Sequence, residues 1–363
     1  MNFTPEELEV IDAVKYRPAI SIILSAAPEI ALQKEMQHKL KITADNIKRQ
    51  LLEQYPAQSC EDILQKLDDT IASIAYNADF QSIAIYVSPI LSKVFYLHIP
   101  IEDKIIIDQS FEIRDLIYAK QEAIKFIVLM ITGKHTEAYI LDNGNAAKLK
   151  LEMPENMTTY DRDEPEPVAN FSDQSKDKEL LQNKFLKHID NALSAILRTN
   201  NLPVFLLGAE RTLGHFASIT ANANSVAAMI HGNYEEASLT EIQQLLAPYI
   251  KAWKTEKNTQ VLDEIDQAIK SKKLEAGVKA IWTAVKEKNC SLLIVEKNYM
   301  YPADYTGDVN YIQKHDSVSA SILNIKDAVD DIIEQVIQAG GEVRFVDEGL
   351  LNEYMHIALV RYY

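Results

Sequence analysis

Three features of the sequence predict an α/β chain of three domains. Short β-branched and aromatic runs alternate with long stretches of helical apolar spacing. The 363 residues exceed what one hydrophobic core ordinarily serves. An acidic, proline-bearing stretch near the middle breaks the pattern. With 47% hydrophobic and 25% charged residues the balance is that of a globular chain. The boundaries read as a mixed α/β domain over 1–152, a linker over 153–177, a second α/β domain over 178–256 and a third over 257–363.

In the first domain "AISIILS" at 19–25 is a strand. A helix follows from Glu29 to Tyr55, with Met36, Leu40, Ile47, Leu51 and Leu52 at helical spacing, and Pro56 stops it. Ser59 is a suitable N-cap for the next helix, through Ile63, Leu67, Ile71 and Ile74. The period then changes to that of sheet: "SIAIYVSP", "KVFYLHIP", "DKIIID", "KFIVLMITG" and "HTEAYILDNGN" are five strand-like runs, with Gly133-Lys134 as a hairpin turn.

Residues 151–178, "LEMPENMTTYDRDEPEPVANFSDQSKDK", lack any apolar period, and Pro165 and Pro167 hold the backbone extended. A helix from Lys178 to Leu197 buries Leu181, Phe185, Leu186, Ile189, Leu193 and Ile196. Its other side carries Lys184, Lys187, His188 and Arg198. "LPVFLLGA" at 202–209 is a buried strand, and helices are expected through 215–250.

The third domain opens with one helical stretch, "VLDEIDQAIKSKKLEAGVKAIWTAVKEKN". The strand "SLLIVEK", a loop "NYMYPADYTGD", the helix "SVSASILNIKDAVDDIIEQVIQAG" and the strands "EVRFVD" and "HIALVRYY" follow. Gly340-Gly341 comes directly after the last helical period, so one of the two is expected in the left-handed conformation that ends helices.

Several function classes are disfavoured. The start, "MNFTPEELEVIDAV", carries acids where a secretory signal needs a basic patch, and no apolar run reaches membrane-spanning length, so a cytoplasmic protein is expected. Cys60 and Cys290 have no Cys or His at ligand spacing and read as inert thiols. A formal net charge of −16 repels polyanions on average and confines any nucleic-acid contact to a local patch. No Gly-x-Ser-x-Gly and no phosphate-cradling glycine loop is present. The expectation is a monomer that needs no cofactor or metal and binds neither DNA nor membrane, and enzymatic chemistry lacks a recognisable foothold in the sequence.

"ISIILS", "IAIYVSP" and "KVFYLHIP", then "NKFLKHIDNAL", "LPVFLLGAE" and "HGNYEEASLTEI", and finally "LLIVEKNY", "GGEVRFVD" and "IALVRY" occur in an order that resembles the archaeo-eukaryotic class-1 release factor and Pelota superfamily. The bacterial release-factor-like members are the nearest likeness, over almost the full chain. The resemblance implies a middle domain of ribonuclease-H-like α/β topology. It also implies a C-terminal α/β sandwich like the third domain of release factors and Pelota, related to a kink-turn RNA-binding ribosomal-protein fold. Release factors carry Gly-Gly-Gln in the loop before the long middle-domain helix; this sequence has no Gly-Gly-Gln, and the corresponding loop is the acidic "DRDEPEPVANFSDQ". The ribosome and a translation factor are the partners that the resemblance implies, and some bacterial relatives, Balon among them, act as hibernation factors.

Each candidate site has a structural alternative. Lys184, Lys187, His188 and Arg198 suit an RNA backbone, or are a solvated helix face. His231 and Asn233, in "HGNY" between two helical stretches, suit a phosphate or a partner, or simply form a turn. Tyr299 and Tyr301 suit base stacking or a protein partner, or pack locally. Glu210, Arg211 and His215 follow a strand end where α/β sheets place sites, but a metal-dependent nuclease needs more carboxylates than Glu210. The leading expectation is a non-catalytic, ribosome-associated protein of hibernation or stress. The alternatives are a stress-related interaction module without RNA binding and, least supported, an RNA hydrolase.

Overall fold

A computed structural model of the chain describes residues 3–13, 18–26, 32–76, 80–123, 125–132, 136–143, 145–150, 174–199, 202–305, 311–314 and 324–363. It forms two compact units, one of Met1–Ala123 with Asn258–Tyr363 and the other of Ile124–Lys257. The sequence-based boundaries therefore shift. The first and third predicted domains are one discontinuous unit, and the strands after residue 124 leave the first domain.

In the discontinuous unit, β1 (Ala19–Ser25), β2 (Ser82–Val87), β3 (Ser92–Leu97) and β4 (Lys104–Asp108) form an antiparallel sheet in the order β3-β2-β1-β4. Ile20, Ile22 and Leu24 alternate onto one face, where α2 (Leu32–Gln54) and α3 (Ala57–Ala72) cover them with Met36, Leu40, Ile47, Leu51, Ile63 and Leu67. Pro56 does separate the two helices, but it is itself the residue before α3, and Ser59 lies inside the helix rather than capping it. The opposite face, with Ile23, Ala84 and Tyr86, enters a second core with α1 (Pro5–Ile11), α4 (Arg114–Glu122) and the C-terminal segment.

That segment builds a sheet in the order β10-β16-β11-β15 from β10 (Leu274–Ala276), β16 (Ile357–Val360), β11 (Leu292–Glu296) and β15 (Glu342–Val346). The period-two alternation of β11 is complete: Leu293 and Val295 join the core with α8 (Val278–Val285) and α9 (Ala328–Gln338), while Leu292 and Ile294 meet Val261 and Ile265 on the other face. Two long helical expectations are corrected. The stretch from 258 to 289 contains the end of α7 (Leu239–Lys270), then β10 and α8, because "SKKLEAG" breaks the helix into a short strand. Of the stretch from 317 to 340, residues 317–323 lie outside the described residues, Asn324–Ile325 is β14 beside β12 (Ala303–Tyr305), which also pairs with β13 (Ile312–Lys314), and the helix is α9.

The glycine pair behaves as expected. Gly340 has φ of +80°, its amide donates to Ile337 O at 2.9 Å, and the Gly341 amide donates to Val336 O at 2.9 Å. These two bonds satisfy the last carbonyls of α9 as a Schellman motif. Gly341 is needed for a different reason: a Cβ there would sit 2.7 Å from Cys290 O.

The second unit is a five-stranded sheet in the order β7-β6-β5-β8-β9, from β5 (Lys125–Ile131), β6 (Thr136–Asp142), β7 (Asn145–Lys148), β8 (Val204–Gly208) and β9 (Val226–His231). The first three are an antiparallel meander, and β8 and β9 extend it in parallel from β5. This is the ribonuclease-H-like arrangement. The α5 helix (Gln174–Thr199) and α6 (Glu210–Ile219) cover one face and the first half of α7 the other. Ile131 pairs with Thr136, as a hairpin requires, while the expected Gly133-Lys134 turn lies outside the described residues. So does most of the expected 153–177 linker; its last residues, from Gln174, are the start of α5.

Candidate nucleic-acid interface

The middle unit positions its basic residues through the amphipathic spacing of α5. Phe185, Leu186, Ile189 and Leu193 are buried against Ile127, Leu129, Val204 and Leu206 of the sheet and Leu213 and Phe216 of α6. Steps of three and four residues along the outer side place Lys184, Lys187, His188, Asn191, Ala195 and Arg198 together, and all six are exposed. Sequence reasoning placed the four basic residues on one face, and the structure does so.

What sequence reasoning missed is the fate of the helix's acid. Between Leu180 and Thr199 the one carboxylate is Asp190, and it is buried. Its oxygens accept from Thr220 Oγ1 at 2.5 Å, from the Ala221 amide at 2.9 Å and from Asn222 Nδ2 at 2.8 Å. Asp190 ties α5 to the turn after α6 and leaves the outer face from Lys184 to Arg198 with three permanent cations and no anion. An acid inside the apolar stripe of Leu186, Ile189 and Leu193 was the available signal.

The carboxyl edge of the parallel strands gives a different surface. His231 is the last residue of β9, not a link between helices; the run "VAAMIH" is a strand. It pairs with Gly208, and the Gly232 amide donates to Gly208 O at 3.0 Å. His231 and Asn233 are exposed. Asn233 Oδ1 accepts from the Glu235 amide at 3.2 Å and the Tyr234 hydroxyl donates to His231 O at 3.1 Å, so the segment is a side-chain-stabilised turn. The adjoining cleft of about 460 Å³ is lined by Asn233, Tyr234, Glu235, Glu236, Glu241 and Ile242 among others. Its three carboxylates disfavour phosphate. Glu241 also closes a capping box, accepting from the Ser238 amide at 2.8 Å and hydroxyl at 2.7 Å, which lowers its pKa.

Glu210 and Arg211 are exposed at the start of α6, and His215 is half-buried. Among the described residues no group of three or more His, Cys, Asp or Glu is arranged to hold a metal ion. Tyr299 and Tyr301, in the other unit, are half-buried against its core. Tyr299 lies 5.0 Å from the His356 ring, and the Tyr301 amide donates to Asp327 Oδ1 at 3.0 Å. His356 Nδ1 is itself held 2.8 Å from the buried Glu296 carboxylate, whose pKa is lowered against its burial by the Leu351 amide and by His356. The tyrosines thus pack locally rather than forming an open stacking platform. No described helix is long and apolar enough to cross a membrane.

Residues 125–289, from β5 through α8, match the model of bacterial archaeo-eukaryotic release factor family 3. Similar solved structures include archaeal Pelota, described as ribosome-bound together with ABCE1 (10% identity over 100% of this chain and 98% of that one, TM-score 0.44). They also include Dom34 of S. cerevisiae, described as a translation termination-like factor in RNA quality control that interacts with Hbs1 (15% identity, 77% and 74% coverage, TM-score 0.40). A third is the archaeal translation termination factor aRF1 (11% identity, 99% and 97% coverage, TM-score 0.25). A comparison with curated proteins gives no match.

Proposed function

We propose that this release-factor-like chain is a translation-associated protein that docks on ribosomal RNA through the outer face of α5 and does not hydrolyse peptidyl-tRNA. The observation that carries this reading is the acid-free exposed face of Lys184, Lys187, His188 and Arg198 in a chain of net charge −16, since local cations release condensed counterions whatever the overall field. The matched family supports the translational setting, and a hibernation or stress role in the cytoplasm fits a factor that binds without reacting.

The test is co-sedimentation with ribosomes. For contacts with three or four phosphates, affinity falls by only about one to two orders of magnitude between 50 and 200 mM salt. The double variant Lys184→Glu, Lys187→Glu leaves the buried face of α5 untouched, so it folds like the parent and loses ribosome binding. A double variant that sediments as the parent does would refute the α5 interface. The net charge of −16 favours a second reading, an interaction module without RNA affinity, and it takes first place if the parent fails to sediment in any growth phase.

A separate expected outcome concerns chemistry. Without Gly-Gly-Gln in the sequence to place a water at the ester, the purified protein leaves peptidyl-tRNA in the ribosomal P site intact. Peptide release above background, with or without a stop codon, contradicts this.

A further inference from the structure

Within the discontinuous unit, the seam between residues 110–115 and 326–334 is polar and buried. Arg114 is 2% exposed, and its guanidinium pairs with Asp327. Lys104 pairs with Asp115 at 2.9 Å. Two further carboxylates, Glu112 and Asp330, are 4% exposed each and have no cation of their own. Asp330 Oδ1 accepts from the amides of Ile113 at 3.0 Å and Arg114 at 2.8 Å, so a carboxylate on α9 caps α4 from more than 200 residues away. Glu112 has no such help: its Oε1 has no hydrogen-bond partner among the described residues, and the nearest cation atom, Arg114 Nε, is 3.9 Å away.

We infer that this seam is a proton-held latch: a proton kept among its buried carboxylates, on Glu112, relieves the excess negative charge between the two chain segments, and its loss in alkaline solution loosens them. Glu112, Asp115, Asp327 and Asp330 face Arg114 and Lys104, so these six groups, all ionised, leave two uncompensated charges in a medium that solvates them poorly. The remaining groups at the seam do not repair this. From β2 comes the Tyr86 hydroxyl, raised in pKa by burial and by Asp115, Asp330 and Glu112. On the approach to α9 the Lys326 ammonium is taken up by Ile107 O and has Asp108 nearby. Along α9, Asp331 and Glu334 add further acid, near Ser110 and Gln338. Burial, with the Asp327 charge second and Arg114 opposing, pushes Glu112 up to about 8. Asp330 is raised as well, by burial and then by Glu112. The two amide donors favour ionised Asp330, which puts the proton on Glu112.

The sign follows from linkage. The folded state holds a proton that the unfolded chain releases near 4.5, so this stabilisation is complete below that pH and is lost as pH rises through about 8. Ordinary carboxylates are already ionised across this window, and subtracting a variant removes the contribution of histidines.

The experiment is urea unfolding of the full chain carrying Trp253→Phe, so that buried Trp282 in α8 reports on this unit. The folding constant is expected to fall ~tenfold per pH unit between 5.5 and 8. Glu112→Gln, which keeps the shape without the charge, removes that slope. The carboxyl carbon shift of Glu112 in the unmodified protein should titrate near 8, a readout that does not depend on any variant folding. The latch is overturned if Glu112→Gln keeps the parent's slope, or if the carbon shift shows Glu112 ionised by pH 6.

Discussion

An Arg114→Met variant is expected to lose about 3–5 kcal/mol of stability, the usual cost of removing one partner from a buried ion pair. The cost arises from what remains. Asp327 Oδ2 would be left in the buried, acid-rich seam without the guanidinium, while its Oδ1 still accepts from the Val329 and Tyr301 amides at 3.0 Å each and so cannot turn away. Converting Asp327 to Asn in the same chain removes the stranded charge while keeping an oxygen for the cap, and should recover roughly half of the loss. Urea unfolding followed by Trp282 fluorescence measures both variants. A loss under about 1 kcal/mol for the single variant would show that the pair contributes as little as a surface ion pair does.

The second large effect is expected at Gly208→Ala. A Cβ on Gly208 would lie 2.4 Å from Ile131 O and 3.3 Å from Leu213 Cδ2. The first obstacle is backbone of the neighbouring parallel strand, which cannot swing aside as a side chain can. The strain should cost about 1–3 kcal/mol, at the upper end of that range. It should also spread to β9, because Gly208 O accepts the Gly232 amide. Amide hydrogen exchange at Leu206, Leu207 and Ile230 is the readout: protection should fall there and hold in the other unit. Unchanged protection would mean that the strands part enough to admit the methyl group at little cost.

Much of this was legible in the sequence because it is local. The apolar spacing of α5, the strands β1, β2, β8 and β11 and the glycine stop of α9 each rest on residues a few positions apart. The errors came where local signals conflict with tertiary placement. "VAAMIH" is alanine-rich and reads as helix, yet parallel pairing with β8 makes it a strand. "KFIVLMI" directly follows the first domain, yet its partner Val204–Gly208 lies beyond the linker. The seam was invisible for a stronger reason. Glu112, Arg114, Asp115, Asp327 and Asp330 are residue types that normally mark a solvated face, and nothing in either segment announces the other. In the candidate interface the exposed bases were legible from spacing, while the inward turn of Asp190 depends on Thr220 and Asn222, about 30 positions downstream.

The discontinuous unit also sets an order of events during synthesis. The Ile124–Lys257 unit draws all its strands and packing helices from one continuous stretch, so it can close as soon as that stretch has left the ribosome. The segment before it cannot finish. Ile23, Ala84, Tyr86 and Ile117 pack against Trp282, Ile332 and Phe345, which are translated only later. At elongation rates of about 5–20 residues per second, the early half waits on the order of ten seconds with one sheet face uncovered. In that interval the nascent chain is a finished middle with an unfinished flank, and the exposed apolar face is where a chaperone would be expected to bind.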